Sequence, residues 1–389
     1  MPGLRFVQSN LKPRARDLGV AFDGTTGPLN AITDVSGVLV GHCTLNEGED
    51  VHTGVTAVFP LGPHTHQGVS AAVHAFNGTG ELTGAHQIAE YGGFFGPVLL
   101  TGTLGVGVAS QTALQFAARQ TSDAELRFIR VLPVVAETWD GNLHDAWSFA
   151  LRHEHVWQAL DGAIGGLVAE GNVGGGTGMI CHGFKGGIGT ASRVFEQCGQ
   201  RHTVGVLVQA NHGLRDDLLI AGLPAGRWIR GYEPELPGPT SQLADGSIIA
   251  IIATDVPLHP SQLARVARRA TVGVARVGGF GGTRSGELFL AFTTEQPLAL
   301  GDTVPAPSPT THPGDALDPL FHATAWAVEE AILNALVAAE TMRGFNGLRI
   351  HAIPHAPLQE LMQRRLAMLA TGPAPEQASD SENHHQKQP

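Results

Sequence analysis

The stretch SIIAIIATDVPLHPSQLARVARRATVGVARVGGFGGTRSGELFLAF, Ser247 to Phe292, decides the fold. It opens with a hydroxyl followed by six residues without a polar side chain. A run this short and this continuously apolar reads as a strand buried on both faces, because a half-exposed strand would alternate. HPSQLARVARRATVGVARV then reads as a helix with Pro260 and Ser261 at its start. After the glycine cluster GGFGGTRSG the chain returns as ELFLAF, a second apolar strand. Strand, helix and strand within one sheet form a crossover, which makes the two strands parallel. Parallel strands begin at the same edge, so Ser247 and Glu287 start side by side. Ser285, two residues before Glu287, points to the same side by the period of two. Two hydroxyls and a carboxylate at one edge supply what a nucleophile, a relay and an orienter require. Upstream, HTVGVLVQAN (202–211) ends in Gln209 and Asn211. As an antiparallel neighbour it carries the Asn211 amide to that same edge, where a donor stabilises an oxyanion. Taken singly, a Gly-Ser before a strand reads as a turn and a Ser-Gly-Glu as surface. Their convergence carries the functional reading.

Further apolar runs predict strands at 37–41, 54–60, 97–102 and 128–137, and helical patterns occur at roughly 82–91, 108–119, 142–170, 260–276 and 322–342. Strands interleaved with helices over the whole length indicate one layered αβ domain over residues 1–370. The tail TGPAPEQASDSENHHQKQP (371–389) is polar and contains proline, and is expected to be disordered. Its paired His384 and His385 read as solvated tail rather than as metal ligands. The glycine-rich stretch GNVGGGTGMICHGFKGGIGTASR (171–193) contains neither GxxxxGK[ST] nor GxGxxG, so nucleotide binding is not expected. It reads as a turn system for close backbone packing, with one alternative: the N–H groups of Gly174 to Gly178 line a small-substrate pocket.

Composition removes several classes. Of 389 residues 42% are hydrophobic and 15% charged, and no apolar run is long enough to span a bilayer, so a membrane protein is not expected. The N-terminal stretch has no apolar segment of the secretory type, and a cytoplasmic location is expected. Net charge is −11 without a basic stripe, which argues against nucleic acid. Cys43, Cys181 and Cys198 show no CxxC spacing, which argues against a disulfide framework and a zinc ribbon. The 19 histidines include no HExxH, so no metal and no cofactor is expected in the chemistry.

The blocks NAITDVSGVLVGHCTL, AFNGTGELTG, PVVAETWDG, EGNVGGGTGMICHGFKGGIGTASR, VGVLVQANHG, DGSIIAIIATDVPL, TRSGELFLAF and EEAILNALVAAETMRG occur in order over about residues 30–355. Together they resemble the L-aminopeptidase/D-esterase and β-peptidyl aminopeptidase family, serine peptidases of the DmpA/BapA type. The resemblance implies a four-layer αββα sandwich with the layering of N-terminal-nucleophile hydrolases. It also implies a precursor that cuts itself between Gly246 and Ser247, giving segments that start at residues 1 and 247, with Ser247 as the new N-terminus and the nucleophile. Ser285 and Glu287 would complete the triad, and Asn211 would supply the oxyanion donor. Glu137, in VVAETWDG, falls where relatives hold the free amino group of the substrate. Where relatives carry a tyrosine two positions later, this chain has Trp139, which keeps an aromatic wall but loses the phenolic hydroxyl. The implied substrates are short peptides or amino-acid amides and esters, and the implied assembly is a homotetramer. The competing expectation is a non-catalytic small-ligand-binding protein of the same fold, built on the glycine loop.

Overall fold

The computed structural model describes residues 12–63, 67–120, 132–235, 246–295, 298–299 and 314–371. Nine principal strands are β1 (Leu39–Glu47), β2 (Val51–Phe59), β3 (Gln67–Gly78), β4 (Val98–Gly102), β5 (Val134–Thr138), β6 (Gly187–Gln197), β7 (Gln200–Ala210), β8 (Ile248–Thr254) and β9 (Gly286–Thr293). Five principal helices are α1 (Val106–Gln120), α2 (His153–Asp161), α3 (Pro260–Arg276), α4 (Asp318–Ala338) and α5 (His355–Thr371). A four-stranded sheet has the order β1-β2-β4-β5. A seven-stranded sheet runs β3-β9-β8-β7-β6, with Gly93–Phe95 and Leu298–Ala299 paired to the outer strand β3.

Strand β8 shows why its sequence is apolar throughout. Ile248, Ala250 and Ile252 point into the core that packs the large sheet on α3 and α4. Ile249, Ile251 and Ala253 point into the core between the two sheets, against Leu100, Ala136 and Leu207. A third core lies on the far face of the small sheet, where Val55, Ala57 and Leu99 meet Ala109 and Phe116 of α1 and Val156 and Leu160 of α2. Helix, sheet, sheet, helix is the expected four-layer αββα sandwich. The crossover is also as expected: β8 and β9 are parallel and α3 connects them.

Three readings of the sequence change. The helical pattern at 142–170 contains only a short 3-10 turn at Ala146–Ser148 and the helix α2. The chain leaves helical geometry at Phe149, whose φ is +47°, and again at Gly162 and Gly166. The predicted strand at 128–137 is observed from Val134, and its first residues, to 131, lie outside the described residues. The glycine-rich stretch ends in a strand, β6, rather than in turns. Gly189 lies on it where a β-carbon would stand 2.0 Å from the Ala331 carbonyl of α4, so glycine here allows a helix to lie directly on the sheet. Residues 372–389 of the polar tail also lie outside the described residues.

Helix α4 is bound to the sheet by a buried ionic cluster. Glu330 accepts from Arg193 at 2.6 Å, Arg16 at 2.7 Å and Asn30 at 2.6 Å. Burial pushes the Glu330 carboxyl up, but the Arg16 hydrogen bonds and the Arg193 charge outweigh it and hold the group below the usual carboxylate range. Among the described residues no helix is long and apolar enough to cross a membrane.

Candidate active site

The register places the sequence-predicted residues at one sheet edge. Ile248 pairs with Glu287 on one side and with Ala210 on the other, so Ser247 enters its strand beside Gly286 and opposite Asn211. The Asn211 N–H donates to the Ser247 carbonyl at 3.1 Å. The Ser247 hydroxyl oxygen accepts from the Gly286 N–H at 2.9 Å. A backbone donor on this oxygen favours its anionic form, which suits a nucleophile. Ser247, Ser285 and Glu287 are all buried, Ser247 the least so at 7% exposure.

Asn211 is fixed at both ends of its side chain. Its Oδ1 accepts from the Ile180 N–H at 2.7 Å, and its Nδ2 donates to the Trp139 carbonyl at 3.0 Å. Gly246 lies against this residue. A β-carbon on Gly246 would stand 1.9 Å from the Asn211 carbonyl oxygen and 2.9 Å from Nδ2. The bond between Gly246 and Ser247 therefore lies beside a held amide donor and has no room for a side chain.

Ser285 and Glu287 are brought to this edge, yet the Ser285 hydroxyl donates to the Gly282 carbonyl at 2.9 Å rather than to Ser247. A residue not singled out from sequence organises this turn. Asn77, paired with Glu287 in the sheet, donates from Nδ2 to the Gly282 carbonyl at 2.5 Å and to the Ser285 carbonyl at 2.6 Å. Its place in the block AFNGTGELTG was the available signal; its partners are backbone atoms, which no spacing shows.

Glu137 is the penultimate residue of β5 and is buried. Its Oε1 accepts from the Glu81 N–H at 2.9 Å, and its Oε2 accepts from the Thr103 hydroxyl. Burial pushes its carboxyl up from the ordinary value, partly offset by these two hydrogen bonds. Gly80 lies between it and the start of β9: a β-carbon there would stand 3.3 Å from Glu137 Oε1 and 3.6 Å from the Gly286 Cα. Trp139 is 40% exposed and its ring covers Gly141, where a β-carbon would stand 2.2 Å from the indole.

The N–H groups at the start of the glycine turn are already taken. The N–H of Gly174 goes to the Thr44 hydroxyl at 2.8 Å, that of Gly175 to Thr56 at 3.1 Å and that of Gly176 to the Val173 carbonyl at 2.9 Å. A β-carbon on Gly175 would stand 2.1 Å from Gln209 Oε1. At Gly174 to Gly176 close backbone packing therefore replaces the expected pocket of donors: a β-carbon on Gly176 would stand 2.4 Å from the Ile188 nitrogen. The buried Lys185 completes the packing, donating to the carbonyls of Met179 at 2.8 Å and Gly186 at 2.9 Å.

Comparison with known proteins identifies the family and the fold. The model of peptidase family S58 matches residues 30–350. The β-peptidyl aminopeptidase BapA of Sphingosinicella xenopeptidilytica is 48% identical over 369 residues, covering 91% of this chain and 92% of the relative. The BapA of Sphingosinicella microcystinivorans is 46% identical over 374 residues, covering 91% and 93%. Among solved structures, the L-aminopeptidase D-Ala-esterase/amidase of Ochrobactrum anthropi, described as a variant of the Ntn-hydrolase fold, superposes with a TM-score of 0.83. It is 45% identical and covers 92% of this chain and 99% of its own. A β-aminopeptidase of Burkholderia sp. has a TM-score of 0.79 at 44% identity, covering 93% and 100%. With one sheet edge holding Ser247, Asn211, Ser285 and Glu287, and with relatives matched over nine tenths of its length, the chain belongs to peptidase family S58 and is a hydrolase.

Proposed function

We propose that this protein is a serine aminopeptidase that activates itself by cutting its own chain between Gly246 and Ser247. The observation that carries the reading is the pairing of Gly286 N–H on the Ser247 hydroxyl with the Asn211 amide against Gly246. In the first reaction the Ser247 hydroxyl oxygen attacks the Gly246 carbonyl carbon. The peptide C–N bond breaks, the amine of Ser247 takes the proton, and an ester links Gly246 to the serine oxygen. Water then hydrolyses the ester, leaving a carboxylate on Gly246 and a free N-terminal serine.

In turnover the freed α-amino group, with a reference pKa of about 8, accepts the hydroxyl proton as Ser247 attacks the substrate carbonyl. Asn211 Nδ2 donates to the oxyanion. The amine product leaves, the acyl group stays on Ser247, and water releases it. Glu137 holds the ammonium of the substrate, and this contact limits cleavage to residues with a free N-terminus. Ser285 and Glu287 orient the nucleophile and its proton. Trp139 forms a wall of the acyl pocket.

The substrates on this reading are short peptides and amino-acid amides or esters. The protein is further read as a cytoplasmic homotetramer. The exposed aromatic pair Trp147 and Phe149 supports the assembly. The test is hydrolysis of paired amides, each with a free or an acetylated amine, in L-, D- and β-configured series. Wild type is expected to cleave the free amines and leave the acetylated partners, and Ser247→Ala to cleave neither. Equal cleavage of both partners, or activity in Ser247→Ala, would reject the reading.

A further inference from the structure

We infer that Cys181, His182 and His212 form a binding site for a thiophilic divalent cation, Zn2+ by its donor set, directly behind the Asn211 amide. The three side chains are buried, and each offers a ligand atom within 4.8 Å of the other two. Cys181 Sγ lies 3.7 Å from His212 Nδ1. Two ligands of one tetrahedral ion, at about 2.3 Å for sulfur and about 2.0 Å for nitrogen, stand about 3.5 Å apart. His182 Nδ1 is 2.9 Å from the Leu214 carbonyl, which keeps the proton on Nδ1 and leaves Nε2 as the lone-pair nitrogen. A backbone carbonyl behind the imidazole is the usual support of a metal-bound histidine. One thiol and two imidazoles select zinc-like cations over magnesium or calcium.

The backbone is shaped for this cluster. His182 has a left-handed φ of +49°, uncommon for a residue with a β-carbon, and its N–H donates to the His212 carbonyl at 2.7 Å. The next residue, Gly213, has a φ of +86°, and a β-carbon there would stand 2.2 Å from the His182 ring. Binding replaces the Cys181 thiol proton, which passes to solvent, so one proton is released per ion bound.

The site is joined to the oxyanion amide through the chain. Ile180, whose N–H holds Asn211 Oδ1, immediately precedes Cys181, and Asn211 immediately precedes His212. An ion that draws Cys181 and His212 together acts on the Ile180 support of that amide and on the backbone of Asn211 itself, and lowers turnover. Metal binding stands without the catalytic reading; the effect on turnover rests on it.

The test uses Co2+ as the probe on full-length protein freed of metal with chelator. The expected result is one Co2+ per chain with near-ultraviolet thiolate-to-cobalt absorption, bleached by Zn2+. The band is expected to be lost in Cys181→Ser, with affinity at least tenfold weaker in His212→Ala, and to persist when His384 and His385 are both changed to alanine. Circular dichroism verifies that each variant is folded. Should Cys181→Ser not fold, His182→Ala is read in its place, where the same tenfold loss is expected. Absence of the thiolate band in wild type, or its survival in Cys181→Ser, overturns the site. Recording the spectrum in Ser247→Ala scores binding even if the peptidase reading fails. In turnover assays, filling the site is expected to lower kcat about tenfold in wild type and not in Cys181→Ser; an unchanged kcat at full occupancy overturns the coupling.

Discussion

Replacing Gly246 by alanine is the sharpest steric probe of the proposed cleavage site. The added carbon would stand 1.9 Å from the Asn211 carbonyl oxygen, where real contacts stay beyond 3.0 Å, so something must move by about 1 Å. Asn211 cannot yield freely. Its N–H is bonded to the Ser247 carbonyl, its Oδ1 to Ile180 and its Nδ2 to the Trp139 carbonyl. Forcing such a contact costs about 1–3 kcal/mol of overpacking. If the displacement also removes the amide from the oxyanion, the barrier rises by a further ~3 kcal/mol, or on the order of 10²-fold in rate. The Gly246→Ala chain is therefore expected to fold with reduced stability and to cleave itself at least about 10²-fold more slowly. Intact-mass spectrometry of aliquots taken over time after rapid purification measures the rate, and thermal unfolding measures the cost. Cleavage of Gly246→Ala at the wild-type rate would refute the claim that Asn211 is positioned against the scissile bond.

Three further outcomes follow from the same geometry. Changing Asn211 to alanine is expected to lower kcat by about 10²–10³ with little change in KM, because the amide acts on charge that develops during reaction. On the proposed reading Glu137 binds the substrate ammonium as a carboxylate, and burial raises its pKa. The acid limb of kcat/KM should thus begin above the ordinary carboxylate range and disappear in Glu137→Gln, together with a raised KM; a pH profile of both proteins measures this. Glu330→Gln leaves the buried Arg193 without its partner and is expected to cost about 3–5 kcal/mol in urea unfolding at neutral pH. Because the folded-state pKa of Glu330 is lowered, its contribution is present above the unfolded-state value of about 4.3 and lost as pH falls through the folded one, so the wild-type advantage should shrink in acid.

The stretch from Ser247 to Phe292 was legible because its physics is local. An apolar run buried on both faces, an amphipathic helix and a second run leave one connection, and the observed register of Ile248 with Glu287 follows from it. Asn211 was legible through the same sheet, since its strand ends opposite Ser247. What escaped was decided by tertiary packing. Strand β6 is written in glycine, alanine and serine because α4 lies on it, and small residues read as turns when the helix above them is unseen. Helix α5 was missed because it buries only a narrow stripe, with Leu358, Leu361 and Met362 inside. The donors on Ser247 and Asn211 come from the backbones of Gly286 and Ile180, groups that every residue type carries. Sequence identifies a hydroxyl and an amide, but their partners exist only once two turns are placed side by side.

The central claim is that Ser247 is released as a new N-terminus by its own hydroxyl. Intact-mass measurement of wild type beside Ser247→Ala, with N-terminal sequencing of any fragment, tests it most directly. The account predicts two fragments for wild type, of 246 residues and of 143 residues beginning Ser-Ile-Ile-Ala, and a single chain of 389 residues for Ser247→Ala. An uncut wild-type chain, a cut elsewhere, or the same two fragments from Ser247→Ala would contradict it.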